Sequence, residues 1–501
     1  MKKTTLALLT TILLLPFFAA HAQDKGASGR PDESALFGGS TRQTQSPPPP
    51  TLDEKGLDTT RLGHNAFSSG EVTDNPLQIG GIFYQRLIAS AEQGQSADSS
   101  PLSAPLQFDL YLDSRPSDRI RGYVDERILY DTTRNQYGAT TSGTNLGSLQ
   151  SSSSSAGPTS LSATSNQVPN NPQTVLDQAW LKFDIDRTVF VTAGKQHVKW
   201  GASRFWNPTD FLSTQRRDPL LPYDLRLGNT MVKLEIPFES KQTNFYAITL
   251  FDNPQPASTL GQLGQAFRIE TVVAGAEIGL DAVVRGQSPP LFGADISAPL
   301  GPCDIYLEAS YVKSPTSPNY QLNAGGVTTG ADIGTLYSTY YPNTPAVQAT
   351  AGINYSFAWR DNRQATIGFE YFSNPLGYSN PNVYPILIFL GQYQPFYTGQ
   401  SYGALYLTAE GPDAEKHTSY TFSVLGNLSD GSFIARIDFS WRFLTYMTFE
   451  AYVDNHFGTP GGEFNFTLNT PALTSQTTTT IPPINIPPTV ADLGLALRMS
   501  F

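Results

Sequence analysis

The feature that most constrains this chain is a two-residue alternation of apolar and polar side chains, repeated from about residue 79 to the last residue. Between Val347 and Trp359, for example, apolar residues fill the odd positions and mostly polar residues fill the even ones. Successive side chains of a strand point to opposite faces, so each such segment is predicted to be a strand with one apolar and one wet face. The alternation alone fits both a soluble sandwich and a membrane barrel.

The connections between these segments favour the barrel. Tight turns and long loops alternate along the chain. All tight turns can therefore be assigned to one end of the strands and all long loops to the other, an arrangement that a soluble sandwich does not require. Outer-membrane barrels have short periplasmic turns and long outer loops. The tight turns lie near 113–118, 186–187, 239–242, 300–303, 360–364 and 444–445, and the long loops near 131–173, 197–227, 252–264, 314–346, 374–400 and 456–488.

The two ends of the chain point to export and to membrane assembly. Lys2 and Lys3, the apolar run that follows and the A-x-A site at 20–22 predict a secretory signal peptide. The last segment has apolar residues at every odd position from 493 and ends in Phe501. It resembles the assembly signal of bacterial outer-membrane barrels, and this resemblance implies the outer-membrane assembly machinery as a partner.

Together these features predict an all-β protein, a transmembrane antiparallel β-barrel in the outer membrane of a Gram-negative bacterium. We predict a signal peptide at 1–22, a disordered periplasmic extension at 23–78, rich in Gly, Ser and Pro, and the barrel at 79–501. Counting segments gives about 18 strands, with 16 as the alternative, and most are close to the ~9–11 residues that a tilted spanning strand needs. Lipid and lipopolysaccharide are the expected surroundings.

Composition and motifs exclude several other classes of function. The chain has 32 Lys and Arg against 43 Asp and Glu, which argues against nucleic-acid binding. It carries no motif of a serine hydrolase, zinc protease or phosphate-binding loop. Its histidines do not lie at ligand spacing, so we expect no metal site, no cofactor and no enzyme activity. A Ser, His and acid brought together from different strands is the one catalytic arrangement that the sequence leaves open.

The inward face of the predicted barrel carries both signs of charge. A barrel of this size has a lumen too wide for side chains to fill, so it leaves an aqueous channel unless it is plugged. The charges fit either ladders that stiffen the wall or a field that screens solutes. The candidate wall residues are Arg121, Asp125, Arg127, Arg436, Asp438 and Arg442.

One basic, aromatic segment departs from the alternation, beginning as GKQHVKWGASRFWNPTDF at residue 194. Burial of its Trp200 and Trp206 as anchors would bring its cations into the pore. The candidate constriction residues are Lys195, Lys199, Arg204, Arg216 and Arg217. In the alternative, the tryptophans belong to the interfacial aromatic belt and the cations contact lipopolysaccharide phosphates.

This segment resembles the strand and loop "G-(K/R)-Q…W-G…N-P-x-D" of some Gram-negative porin-like families. The resemblance implies a channel in which the outer connection 197–227 folds into the lumen, and it implies no chemistry. The expected function is therefore passive or substrate-selective diffusion of small solutes. The alternative is a structural or adhesive barrel that presents its outer loops, and the outward aromatic residues fit lipid and a homo-oligomer interface equally well. The apolar run Pro385–Leu390 in an outer loop fits a plug, a contact with a partner barrel, or an additional strand.

Overall fold

The structure is a computed structural model, and most of the predicted leader and extension lie outside the residues that it describes. It describes residues 76–133, 171–213, 215–221, 224–253, 255–256, 259–286, 288–315, 317–329, 331, 333–360, 363–390, 392–412, 417–474, 480–481 and 483–501. The predicted signal peptide 1–22, nearly all of the extension 23–78 and most of the Ser-rich loop 131–173 therefore fall outside it.

Eighteen antiparallel strands form one closed barrel, as the sequence predicts. Each strand pairs with the next along the chain, and the last pairs with the first over Ile82 to Glu92. Closure leaves no open edge, which lipid requires because it offers no hydrogen bonds to the backbone. The strands are β1 (Leu77–Glu92), β2 (Pro105–Ser117), β3 (Ile120–Asp131), β4 (Gln173–Ile185), β5 (Val189–Gln196), β6 (Asn229–Phe238), β7 (Thr243–Leu250), β8 (Gly264–Val273), β9 (Ala276–Arg285), β10 (Ser288–Leu300), β11 (Cys303–Val312), β12 (Ala346–Arg360), β13 (Arg363–Ser373), β14 (Ser401–Glu410), β15 (Thr418–Asn427), β16 (Ser432–Leu444), β17 (Met447–Gly458) and β18 (Thr489–Ser500).

The observed strands differ from the predicted ones mainly at their ends. The turn predicted at 113–118 is shorter, because β2 and β3 continue to pair up to Ser117 and Ile120 after a register shift. Apolar alternation stops at Leu112, where the side chains leave the apolar belt, but backbone pairing does not depend on those side chains. Periodicity therefore located the strands and underestimated this hairpin.

Each strand presents one face to the outside and one to the lumen. On β11, Leu307 and Tyr311 are exposed on the outer face, while Glu308 and Ser310 are 1% and 0% exposed on the inner face. The same contrast recurs around the barrel, where outward Leu, Ile, Val, Phe and Tyr form an apolar surface. This is the inverse of a soluble protein and fits a lipid-facing wall with a polar interior.

The C-terminal residue completes the seam between β18 and β1. The N–H of Phe501 donates to the carbonyl of Gly81 at 3.1 Å, and the N–H of Gly81 donates to the carbonyl of Phe501 at 2.9 Å. Its ring stacks on Phe108 with the ring centres 5.9 Å apart. Phe501 is thus part of the closing strand pair as well as the end of the chain.

The connections between the barrel strands contain short helices, 3-10 turns and short strands. Two helices are present among the described residues, α1 (Ile333–Leu336) and α2 (Tyr384–Phe389), and no described helix is long and apolar enough to cross a membrane. The 3-10 turns are Ala97–Ser99, Glu239–Lys241, Leu260–Gln262, Pro381–Val383 and Glu463–Asn465. The short strands are Leu102–Ser103, Asp252–Asn253, Gln255–Pro256, Asn319–Leu322, Tyr337–Tyr340, Leu468–Thr470, Leu473–Thr474, Thr480–Ile481 and Ile484–Ile486.

Candidate functional site in the barrel lumen

The connection between β5 and β6 crosses the interior of the barrel. We call residues 197–228 the lumen segment. It hydrogen bonds to Glu308 on β11 and to Glu370 on β13, six and eight strands farther along an 18-strand sheet. Strands that far apart face each other across the barrel, so these contacts pass through the lumen.

Both ends of the lumen segment are held by one carboxylate on β4. The Nε2 of His197 lies 2.9 Å from Oδ1 of Asp177, and the N–H of Gly228 donates to the same oxygen at 3.1 Å. The guanidinium of Arg127 donates to Oδ2 of Asp177 at 2.8 Å and to the carbonyl of Leu225 at 2.9 Å. Asp177 and Arg127 therefore fix the points at which the segment leaves and rejoins the wall.

Glu308 anchors the middle of the segment. Its carboxylate accepts from the N–H and hydroxyl of Thr209 at 2.8 and 2.7 Å, and from the hydroxyl of Ser203 at 2.8 Å. The backbone folds tightly around it: Gly201 has a φ of +94°, and a Cβ there would lie 2.5 Å from both carboxylate oxygens. Only glycine fits both the space and the backbone conformation.

Glu370 anchors the neighbouring residues in the same way. It accepts from three consecutive backbone N–H groups, those of Arg204, Phe205 and Trp206, at 2.8, 3.0 and 2.8 Å. The hydroxyl of Tyr306 adds a fourth donor at 2.6 Å. Successive N–H groups that converge on an anion form a backbone nest, and here the anion belongs to the wall.

Aromatic packing fills the space around these anchors. Trp206 is completely buried against Phe372 and Tyr402, and its indole N–H donates to the carbonyl of Phe396 at 2.9 Å. Trp200 is 3% exposed and packs with Phe211 and Met231 in a separate cluster. Both predicted anchors thus lie inside the barrel.

The five predicted constriction residues separate into two groups. Lys195 lies on the outward-facing side of β5, where its ammonium donates to the carbonyl of Leu176, and Lys199 is exposed. Arg204, Arg216 and Arg217 lie on the lumen segment, and the guanidinium of Arg204 sits 4.0 Å from the centre of the Tyr406 ring. The structure therefore brings the three arginines to the interior, places Lys195 on the outer face of the wall and leaves Lys199 as an exposed residue of the lumen segment.

Other charges of the segment are neutralised within it. Arg226 bonds to Asp210 at 2.7 Å and to Asp224 at 2.6 Å. Burial acts to raise the pKa of Asp224, but its hydrogen bonds and charge attraction to Arg226 outweigh burial and lower the pKa to about 2. Burial raises the pKa of Tyr397 to about 12, so this ring is neutral where Arg216 stacks over it.

A cavity, which we call the passage, lies between the lumen segment and the wall formed by β1 and β14–β18. Among the described residues that line it are four arginines and two carboxylates: Arg86, Arg204, Arg217, Arg436, Asp438 and Glu450. The carboxylates already have partners, since Asp438 lies 2.7 Å from Arg436 and Glu450 lies 2.9 Å from Arg498. The passage is therefore predominantly basic.

Two of the six predicted wall charges, Arg121 and Arg127, form close cross-strand ion pairs. Arg121 makes a two-point contact with Asp113, with both N···O distances 2.9 Å, and Arg127 contacts Asp109 at 3.1 Å. Asp125 is buried beside the hydroxyl of Tyr123, and Arg442 is half-buried toward the turn side. Of the six wall candidates, Arg436 and Asp438 are the two that line the passage.

The apolar run at 385–390 packs within its own chain. It forms most of α2, and Ile386, Leu387 and Ile388 are buried against Tyr393 and Phe466. Partly buried side chains from three outer loops complete this cluster, which we call the outer cap: Tyr320, Tyr337, Tyr378, Leu468 and Ile486. In this fold the run is helical rather than a strand, and Leu390 at its end is 40% exposed.

Glu463 ties the outer cap to the barrel. It accepts from the hydroxyl of Tyr402 at 2.6 Å, from the amide of Asn427 at 2.7 Å and from the N–H of Phe396. Burial, together with the charge of the neighbouring Asp430, raises its pKa from 4.5 to about 8 against the effect of these donors.

Alkaline pH is expected to loosen this attachment. Because the folded pKa of Glu463 is raised, its stabilising contribution is complete below pH 4.5 and is lost as pH rises through about 8. The thermal midpoint of the protein in detergent should therefore fall across this window, and the fall should be smaller in Glu463→Gln. An equal fall in both proteins would contradict the assignment.

The anchoring carboxylates are the residues that sequence reasoning missed. A signal was present for Glu370: its cross-strand neighbours are Gly352 and Ala404, so the wall offers it no cation there. An inward carboxylate without a cross-strand cation needs donors from elsewhere. Asp177 gave no comparable signal, because its partners come from three separate parts of the chain.

Comparison with known proteins gives fold-level matches only. No family model matches the chain, and no curated protein matches it. A mutant of Rh. blastica porin matches with a TM-score of 0.38 and 11% identity, covering 85% of this chain and 100% of that chain. Acinetobacter baumannii OccAB1 matches with a TM-score of 0.47 and 9% identity, covering 87% of this chain and 99% of that chain. Similarity this low carries no functional information to this chain.

Proposed function

We propose that this protein is an outer-membrane channel for small solutes, with a preference for anionic ones. The fold is consistent with the bacterial outer membrane. The observation that supports the proposal is the basic passage between the lumen segment and the wall. The lumen segment is buried and anchored at several points, so it gives the passage a defined width. Its arginines give the passage a positive charge.

The sign follows from the balance of the charges that line the passage. Asp438 and Glu450 are held by arginines at short distance, so their fields are largely cancelled at the passage. Arg436 is balanced by Asp438 in the same pair, so the excess positive charge of the lining comes from Arg204 and Arg217 on the lumen segment and from Arg86 on the wall. Charged rings of this kind bias permeation toward ions of opposite sign.

Single-channel recording across a salt gradient tests the proposal. Refolded mature protein should conduct, and its reversal potential should indicate anion preference. The double variant Arg204→Gln/Arg217→Gln should shift the reversal potential toward cations by removing two charges from the passage. Arg119→Gln is the matched control, since Arg119 bonds to Asp184 at the turn side and should leave the reversal potential unchanged.

Two outcomes would count against the proposal. Cation preference in the wild type would agree with a channel but would contradict the proposal that the arginines set its ion selectivity. No conductance at all would favour a structural or adhesive barrel that presents its outer loops.

A further inference from the structure

Three acceptor side chains converge at the outer end of the β17–β18 pair. Asp454 and His456 are two residues apart on β17, so both point into the lumen, and Asp492 on β18 pairs directly with Asp454. All three are buried, and their nearest ligand atoms lie within 4.8 Å of one another. Two ligands share the two-residue spacing of a strand and the third lies on the neighbouring strand, so the sequence alone does not reveal this group.

The imidazole of His456 is oriented by the backbone. Its Nδ1 lies 2.7 Å from the carbonyl oxygen of Phe464. A carbonyl only accepts, so Nδ1 carries a proton, and in the neutral ring Nε2 presents its lone pair to the two aspartates. This is the arrangement by which metal-binding histidines are commonly held, with the remote nitrogen donating to a carbonyl or carboxylate.

Each of the three side chains keeps one buried polar atom that has no hydrogen-bond partner among the described residues. His456 Nε2, Asp454 Oδ2 and Asp492 Oδ1 are buried and have no hydrogen-bond partner, and the His456 side chain is only 4% exposed. Arg436 approaches Asp454 Oδ2 no closer than 3.7 Å, and its shorter contact is to Asp438. A lone pair facing two carboxylates is repulsive unless a positive charge lies between them.

The distances favour a metal ion over a proton. His456 Nε2 lies 3.4 Å from Oδ1 of Asp454 and 3.4 Å from Oδ2 of Asp492. A hydrogen bond between such atoms would be about 2.7–3.2 Å long. The Asp454 oxygen also accepts from the backbone N–H of Asp492 at 3.0 Å, which leaves it a second lone pair for a cation. Ligands bound at about 2.1 Å in a tetrahedral zinc site lie about 3.4 Å apart.

We propose that Asp454, His456 and Asp492 bind one divalent metal ion of the zinc class. One nitrogen and two carboxylate oxygens are donors that Zn²⁺ accepts, and a fourth ligand would complete its tetrahedral shell. The ion joins β17 to β18. Through the bond between His456 and Phe464 it also holds the 3-10 turn Glu463–Asn465 that carries Glu463 of the outer cap.

Zinc titration of the refolded mature protein, stripped with a chelator, tests the site. Equilibrium dialysis with metal analysis should give one Zn²⁺ per chain that His456→Ala loses, with affinity falling at least about 100-fold, since even outer-shell changes cost about 10–100-fold. His417→Ala is the matched control and should keep the ion. Because His456→Ala removes packing, the isosteric Asp492→Asn serves as a second variant, and unchanged circular dichroism shows that each variant folds.

A spectroscopic readout separates this site from adventitious binding. Co²⁺ bound to the wild type should give the visible bands of a four-coordinate site, and these should be absent in Asp492→Asn. Equal zinc content in the wild type and both variants would overturn the proposal. So would a wild type that binds no zinc, which would mean that a proton on His456 balances the two aspartates.

Discussion

Replacing both Glu308 and Glu370 by glutamine is expected to release the lumen segment and raise the single-channel conductance several-fold. The two carboxylates accept from the backbone N–H groups of Ser203, Arg204, Phe205, Trp206 and Thr209. Glutamine replaces one of the two acceptor oxygens by an NH₂ group, which is itself a donor. This NH₂ group would face the backbone N–H donors of the lumen segment. Hydrogen bonds to charged groups are worth about 1.5–3 kcal/mol each, so the double variant removes most of the polar attachment.

Glu277→Gln is the matched control for this experiment. Glu277 is a half-buried carboxylate of the wall, 3.5 Å from the hydroxyl of Ser297 and remote from the lumen segment. Its conductance should equal that of the wild type. If the double variant also conducts like the wild type while it folds normally, the lumen segment does not limit the passage.

Trp206→Ala is expected to cause the largest loss of stability of any single substitution in the lumen segment. Trp206 is fully buried, its ring centre lies 5.6 Å from that of Tyr402, and its indole N–H donates to Phe396. Truncation of a buried tryptophan typically costs about 3–5 kcal/mol, because it leaves a cavity. Here it also leaves the carbonyl of Phe396 without its donor.

Denaturant unfolding in detergent measures this loss, and hydrogen exchange locates it. The free energy of unfolding should fall, and the amides of residues 203–209 should lose protection first. Trp441→Ala is the control, since Trp441 is 45% exposed on the outer face, where its ring centre lies 5.5 Å from that of Phe443. Equal losses of unfolding free energy in the two variants would show that the burial of Trp206 inside the barrel does not contribute more to stability than the exposed Trp441 does.

The strands could be predicted from the sequence because a barrel wall is locally determined. Each strand must alternate between lipid and lumen, so its own residues show where it lies. The connection 197–228 could be singled out because its tryptophans and turn residues interrupt that alternation. Arg204, Arg216 and Arg217 followed from the same segment, and the structure places all three on the lumen segment.

The contacts that hold the site could not be predicted in the same way. Glu308, Glu370 and Asp177 each bind residues that are distant in sequence, and no periodicity records such partners. Lys195 shows where the sequence prediction was wrong about a side chain's direction. It belongs to the basic run but lies at an outward-facing position of β5. A shift of one residue along a strand reverses the face, so membership of a charged run does not decide where a side chain points.

The lumen segment also sets an order of events during assembly. Its acceptors lie on strands that follow it along the chain, and Trp206 is 190 residues from the carbonyl that it bonds to. Its docking surface therefore exists only once those strands are in place. Until β11 and β13 have joined the wall, its aromatic side chains stay exposed and its amides unpaired. Docking of the segment is consequently a late step, and contacts of such long range make it a slow one.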